Sequence, residues 1–368
     1  MSMLRSISSS RLVPCLALAG LMSASHAATI TVNTTGDTLG QAGQCSLRDA
    51  FYSALYDDNG GNPDCVSGSG ADTIVFDTVA FPADSLTVIT LDPSWGAMEM
   101  NGPDPIWSPL DPAIVLAIDG GRRVALDGGN GTQFFRIAGK AELTLKGMTL
   151  QNGVSLSSSG YGDGGALYVD SSAALTLEDM TISNNRASIF GGGLYARSST
   201  VIIRDSVFTG NSASQGGAVH SPGGGSLTIE RTHFEGNSAD ALGGAIRSGG
   251  PIQISDSTIT ANQLRFPGTG AGVSFTLTGI TPRNISNSSI TDNSPGNNCG
   301  GEPFTGSGNE YWPESDTSCP AGTGTYVNPV PPAPAAPVAV PVDAPWALGV
   351  LSALLGLFGW SSASRKPR

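Results

Sequence analysis

Charge is scarce in this chain and basic charge scarcest: 13% of its 368 residues are charged, and 18 Lys and Arg stand against 30 Asp and Glu, for a formal net charge of −12. Such a surface lacks the basic stripe that a nucleic-acid backbone requires, so no nucleic-acid partner is expected. There are only three His and five Cys, no Cys-x-x-Cys, and no His beside a Cys. That spacing supports neither a metal centre nor a bound cofactor, and none is expected. Long helical runs are missing from the middle of the chain. What is abundant is Gly, at 50 residues, among short β-branched runs punctuated by Gly and Asn, a composition that points to an all-β build.

The two ends read as addresses. Arg5 and Arg11 precede the apolar "LVPCLALAGLM", and Ser25-His26-Ala27 supplies small residues for cleavage, so residues 1–27 are expected to be a secretory signal peptide. At the other end a Pro-rich linker, 321–345, leads to "WALGVLSALLGLFGW" and a basic terminus, a C-terminal sorting or transmembrane tail over 346–368 with the main domain outside the membrane. With both ends set aside, the net charge of the remainder falls to −16.

Cysteine usage agrees with export. Cys15 lies in the signal, and the other four form two sequence-local pairs, for which Cys45-Cys65 and Cys299-Cys319 disulfides are expected in an oxidising compartment.

Between the ends the sequence repeats. Gly164-Gly165-Ala166-Leu167, Gly191-Gly192-Gly193-Leu194, Gly216-Gly217-Ala218-Val219, Gly243-Gly244-Ala245-Ile246 and Gly270-Ala271-Gly272-Val273 recur at 25 to 27 residues. Each is followed by alternating apolar residues and then by an Asn, so Asn185, Asn211, Asn237, Asn262 and Asn293 share one position. A period of two in pieces of three to five residues means strands too short to bury their own apolar face, so successive units must stack. The predicted fold is an all-β, right-handed parallel β-helix over roughly 70–320, its Asn side chains forming a ladder. The position after the first strand reads Lys146, Glu178, Arg204, Glu230 and Ser255 in successive units, an alternation of charge that in-register stacking would pair. Residues 28–69 are expected to cap the first turn, with Leu47, Ala50, Phe51, Ala54 and Leu55 at helical spacing.

The "GGAL", "GGAV" and "GGAI" units with "FTGN" and "FEGN" resemble the GGA(I/L/V) and FxxN repeats of chlamydial polymorphic outer membrane proteins. "CSLRDAFYSAL" at 45–55 resembles the CSLREA motif of secreted bacterial proteins, and "NNCGGEPFTGSGNEYWPESDTSC" at 297–319 resembles the end of a choice-of-anchor domain. The tail resembles the IPTL-CTERM and PEP-CTERM sorting signals through Val340, Pro341 and Trp346, with Val342 and Asp343 standing where the former has Thr-Leu. These resemblances imply an exported surface protein, transiently membrane-anchored and processed by an exosortase-type enzyme. They imply architecture far more than activity.

Two functions are therefore expected to compete. The first is a non-catalytic, adhesin-like or glycan-binding surface protein whose partner is a glycan or host surface. Its ligand-binding candidates are Tyr168, Tyr195, His220 and Arg247, which align in one outward strand column and would lie outside the core. The second is a polysaccharide lyase or glycoside hydrolase, with Asp104, Asp111, Trp95 and Trp107 in the stretch 92–123 that interrupts the repeat. No catalytic residue is assigned within the repeat itself. His233 falls in a strand position that other units fill with Thr, Ser or Val, and Asp179, Asp205, Arg231 and Asp256 share a bend.

Overall fold

A computed structural model of the chain describes residues 27–59, 62–103, 112–156, 162–170, 172–276, 282–312, 316 and 318–319. The signal sequence up to residue 26, Asp104, Trp107, Asp111 and the tail, including Val340, Pro341 and Trp346, lie outside the described residues. Among the described residues the strands gather into three parallel sheets of 17, eight and five strands, wound as a right-handed β-helix. One turn runs through Leu167–Val169 of the eight-stranded sheet, Ala174–Glu178 and Thr181–Ser183 of the large sheet, and Arg186–Ala187 of the five-stranded sheet. The next turn repeats the path in register.

Stacking is what buries the apolar positions. Leu145, Leu177, Ile203, Ile229, Ile254 and Ile285 fall on one another from turn to turn, as do Leu150, Ile182, Phe208, Phe234, Ile259 and Ile290. All are sealed from solvent. The Phe208 and Phe234 rings stack with centroids 5.0 Å apart, so the Phe of the FxxN units fills the same inner slot that Ile takes elsewhere. Outside, the expected charge column is realised: Glu178 lies between Lys146 and Arg204, and Arg204 pairs with Glu230 at 2.9 Å.

The bends have their own logic. Between the two arms of the large sheet the chain takes a left-handed residue at Asp179, Asp205, Arg231, Asp256 and Asn287, each with φ between 46° and 56°. Asp and Asn tolerate that conformation because their short side chains bond locally. The amide that follows would be orphaned, and a second ladder answers it. Met180 N donates to Ser206 Oγ, Thr232 N to Ser257 Oγ, and Ser257 N to Ser288 Oγ of the next turn.

The Asn ladder occupies the interior of the following corner. Each side chain donates to the next Asn Oδ1 and to a carbonyl, and its oxygen accepts both the backbone N–H and the Nδ2 of the Asn in the turn before; for Asn237 these partners are Asn262, Phe208 and Asn211, all at 2.9 or 3.0 Å. The ladder runs through Asn185, Asn211, Asn237, Asn262 and Asn293 and ends on Asn298. At its start stands Gly153, whose N–H donates to Asn185 Oδ1 and where a β-carbon would press on the Phe134 ring.

The CSLRDA segment builds the cap. Ser46 and Asp49 form a reciprocal capping box for the helix Leu47–Tyr56. Leu47, Ala50, Phe51 and Ala54 enter the core, and Leu55 packs against it half-buried. Arg48 is buried and makes a bidentate pair with Asp37 at 2.7 and 2.9 Å, while Asp37 also accepts from Asp92 N and Arg48 donates to the Gly96 carbonyl. The motif's arginine thus ties the cap to the first turns. Cys45–Cys65 and Cys299–Cys319 are both bonded, with Cα atoms 5.0 and 5.2 Å apart, one at each end of the solenoid.

Two details differ from the sequence reading. Thr29–Val32 precedes the helix in the chain yet pairs with Ala71–Phe76 of the large sheet. The stretch 92–123 is not simply an interruption, because Met98–Asn101 and the first part of Ile114–Asp127 are regular strands that pair with Phe135–Ala138 and Ala141–Gln151. The Gly120-Gly121-Arg122 corner, with φ of 58° at Gly121 and 63° at Arg122, is longer than the later bends and breaks the register, which hides the alternation on either side.

Candidate functional site

The corner at the repeated glycines makes the most unusual surface of the molecule. The first glycine of each repeated tetrad, Gly164, Gly191, Gly216, Gly243 and Gly270, has φ between 61° and 66°. A β-carbon there would overlap the carbonyl oxygen of Leu167, Leu194, Val219, Ile246 or Val273, so the chain folds back on itself more tightly than any other residue permits. Residues before the corner therefore face residues after it. On one side stand Asp163, Phe190, Gln215, Leu242 and Thr269, linked turn to turn as isolated bridges or strand partners. On the other stand Arg136, Tyr168, Tyr195, His220, Arg247 and Ser274, in strict register. Together they line a corner that runs along the stack, the first column lying over the second.

The column of Tyr168, Tyr195, His220 and Arg247 is thus real, but its expected exposure is corrected. Tyr168 is 8% exposed, Tyr195 5% and His220 3%, and Arg247 is half-buried. The cause is the fold-back: Phe190 stacks on Tyr195 with centroids 6.0 Å apart and meets the His220 ring edge-on at 4.4 Å. Tyr168 and Tyr195 also stack on each other at 5.3 Å, so their faces are engaged within the protein. His233 sits on the large sheet instead, with Nε2 3.1 Å from Glu235. Trp95 is half exposed near the cap.

The corner has two halves of different character. Toward the N-terminal end the polar groups satisfy one another. Tyr168 Oη donates to Asp170 Oδ2 at 3.1 Å, Arg197 Nε donates to Asp170 Oδ1 at 3.0 Å, and the Arg136 guanidinium lies 4.4 Å above the Tyr168 ring while donating to Gln133. Burial, reinforced by the Asp170 charge, pushes the Tyr168 phenol up to about 12. Asp163 is an exception: it accepts from the Phe190 backbone, but Oδ1 is buried without a partner, and desolvation pushes its carboxyl up to about 6. Toward the C-terminal end, one His220 ring nitrogen donates to the Gln215 carbonyl while Nδ1 has no partner among the described residues. Gln215 Oε1, Arg247 Nε and Ser274 Oγ are likewise buried and unpartnered. Burial and the neighbouring Arg247 charge push the His220 ring down to about 3.

These shifts oppose each other on acidification. An unfolded His takes up its proton near its ordinary 6.5 while folded His220 refuses it until about 3, so stability falls as pH drops through that window. Folded Asp163 protonates near 6, before an unfolded Asp, so it adds stability as pH falls from 6 toward 3.8. Asp163→Asn, which cannot titrate, is expected to steepen the loss of stability between pH 6 and 4 by up to about 1.4 kcal/mol per pH unit, read from urea midpoints across that range. An unchanged slope would show that Asp163 titrates normally.

Sequence reasoning missed Asp163, Phe190 and Gln215, the wall that covers the column. A signal was present, since each lies directly before a repeat glycine, but strand alternation carries no information about a second layer folding onto the outer face.

The comparisons agree with the architecture. A family described as a right-handed β-helix region matches residues 135–312, which include the glycine corner. No curated protein and no solved structure matches the chain.

Proposed function

We propose that the chain is exported, held at the cell surface through its C-terminal tail, and binds an extended glycan along the glycine corner, whose partly exposed rim serves as a shallow cleft, without turning it over. The observation that carries this reading is the cleft's translational repeat. The same corner recurs in five successive turns, with register partners about 4.8 Å apart along the stack. A surface periodic along one axis suits a polymer better than a compact metabolite. The rim residues Phe190, Gln215, Leu242 and Thr269 remain partly or fully accessible above the buried column.

An enzyme of the lyase or hydrolase kind is the rival, and it draws on one observation, the partly desolvated Asp163 carboxyl beside Tyr195. One experiment separates the two. Purified protein is expected to be retained by immobilised polysaccharide and to release no reducing or unsaturated ends from it. Thr269→Trp, which plugs the exposed rim, is expected to weaken retention at least fivefold with an unchanged melting temperature. Release of sugar ends that disappears in Asp163→Asn would replace the binding reading with the enzymatic one.

A further inference from the structure

We propose that Gln215, His220, Arg247 and Ser274 form a subsite for the carboxylate of an acidic sugar unit. This rests on the glycan-binding reading above and names the chemistry that the cleft selects.

Arg247 motivates it. In a chain of net charge −12, where Arg48, Arg122, Arg197, Arg204 and Arg231 each hold an acidic partner, Arg247 is half-buried and has none among the described residues. Its neighbours make matters worse, since desolvation is the one influence on its guanidinium and lowers its affinity for the proton. A partly buried cation without a counter-charge costs stability, and functional sites are among the places where such costs are kept.

The surrounding atoms specify the partner. Arg247 Nε is a buried, unused donor, and its remaining nitrogens reach the surface. Ser274 Oγ, one turn further along the same column and 1% exposed in its residue as a whole, is a second unused donor. His220 Nδ1 and Gln215 Oε1, one turn back, are unused acceptors, and His220 stays neutral because burial beside Arg247 holds its proton off. The planar edge of a guanidinium matches the two oxygens of a carboxylate. The acceptors one step away match hydroxyl protons. A carboxylate and hydroxyls carried on one rigid unit, and repeated along a chain, describe a uronic-acid glycan. The N-terminal half of the same column serves as the internal contrast, because there Asp170 already occupies the equivalent role toward Arg197 and Tyr168.

The test compares three probes on the mature protein by calorimetry: a uronic-acid oligosaccharide, the same oligosaccharide with its carboxylates reduced to alcohols, and a sulfated neutral oligosaccharide. The wild type is expected to bind the uronate at least tenfold more tightly than the reduced form, and Arg247→Met is expected to abolish that preference. Ser274→Ala, which removes a single oxygen, should lower the preference severalfold and serves if Arg247→Met does not fold. Equal binding of uronate and reduced sugar overturns the subsite and leaves the glycan cleft standing. A preference that survives both substitutions also overturns it, as does tighter binding of the sulfated probe. Binding of none of the three overturns the subsite and the cleft together.

Discussion

Gly217→Ala is expected to prevent folding, whereas Gly236→Ala, nineteen residues further along, is expected to cost about 1–2 kcal/mol. The asymmetry runs against backbone intuition, because Gly236 is the residue with positive φ, at 63°, while Gly217 needs no unusual dihedral. Space decides the matter. Nothing lies within 4 Å of a β-carbon added at Gly236, so only the left-handed strain of an L-residue remains. At Gly217 the added carbon would overlap the Gly244 carbonyl and crowd the Ser238 backbone of the next turn. No rotamer relieves that contact, and separating the two turns would break the parallel ladder on both sides, a loss well above the ~4 kcal/mol that marks an exceptional substitution. Soluble yield and circular dichroism melts of the two variants check it; a Gly217→Ala protein melting within a few degrees of wild type would show that the corner can open.

Asn237→Ala is expected to lower stability by about 3–5 kcal/mol, which for a domain of this size is a fall of roughly 10 °C or more in melting temperature. The side chain is fully buried and every polar atom on it is used. Truncation leaves the Asn211 backbone N–H and Nδ2 without their acceptor and takes a donor from the Phe208 carbonyl, in an interior where each orphaned group costs about 1–3 kcal/mol. Asn284→Ala is the control. Its amide bonds Thr305 Oγ1 on the outside of the large sheet, where water replaces the lost partner, and a change within ~0.5 kcal/mol is expected. Calorimetry of both variants distinguishes a ladder that holds turns together from one that merely accompanies them.

Much of this was written plainly in the sequence, for a physical reason particular to stacked turns. In-register stacking through the repeat sets each residue beside its counterpart 25 to 32 positions away, so complementarity appears as a column: Lys146 over Glu178 over Arg204, Asn over Asn, Leu over Ile over Phe. The disulfides were equally legible, each closing a separation of 20 residues. The serine ladder was not, because Met180 and Thr232 occupy two of its positions and break the visible pattern. The cleft was half legible. Alternation placed Tyr168, Tyr195, His220 and Arg247 on the outer face, yet outer and exposed coincide only where nothing folds over the strand, and the glycine corner brings Phe190 onto the rings. The unpartnered atoms of Gln215 and Ser274 belong to the same class of missed features, since they follow from what surrounds a residue and not from which residue it is.

The placement of the two disulfides has a mechanical meaning. A solenoid's turns are held to their neighbours alone, so an unanchored one unravels like a coil of rope, from whichever end is loose. Here each extremity is knotted by a covalent loop, Cys45–Cys65 beside the helix and Cys299–Cys319 at the last turns. A tug from the C-terminal side therefore reaches Cys299 through the bridge and leaves the strands inside the loop slack, whereas a tug from the N-terminal side meets the strand Thr29–Val32 before it meets Cys45.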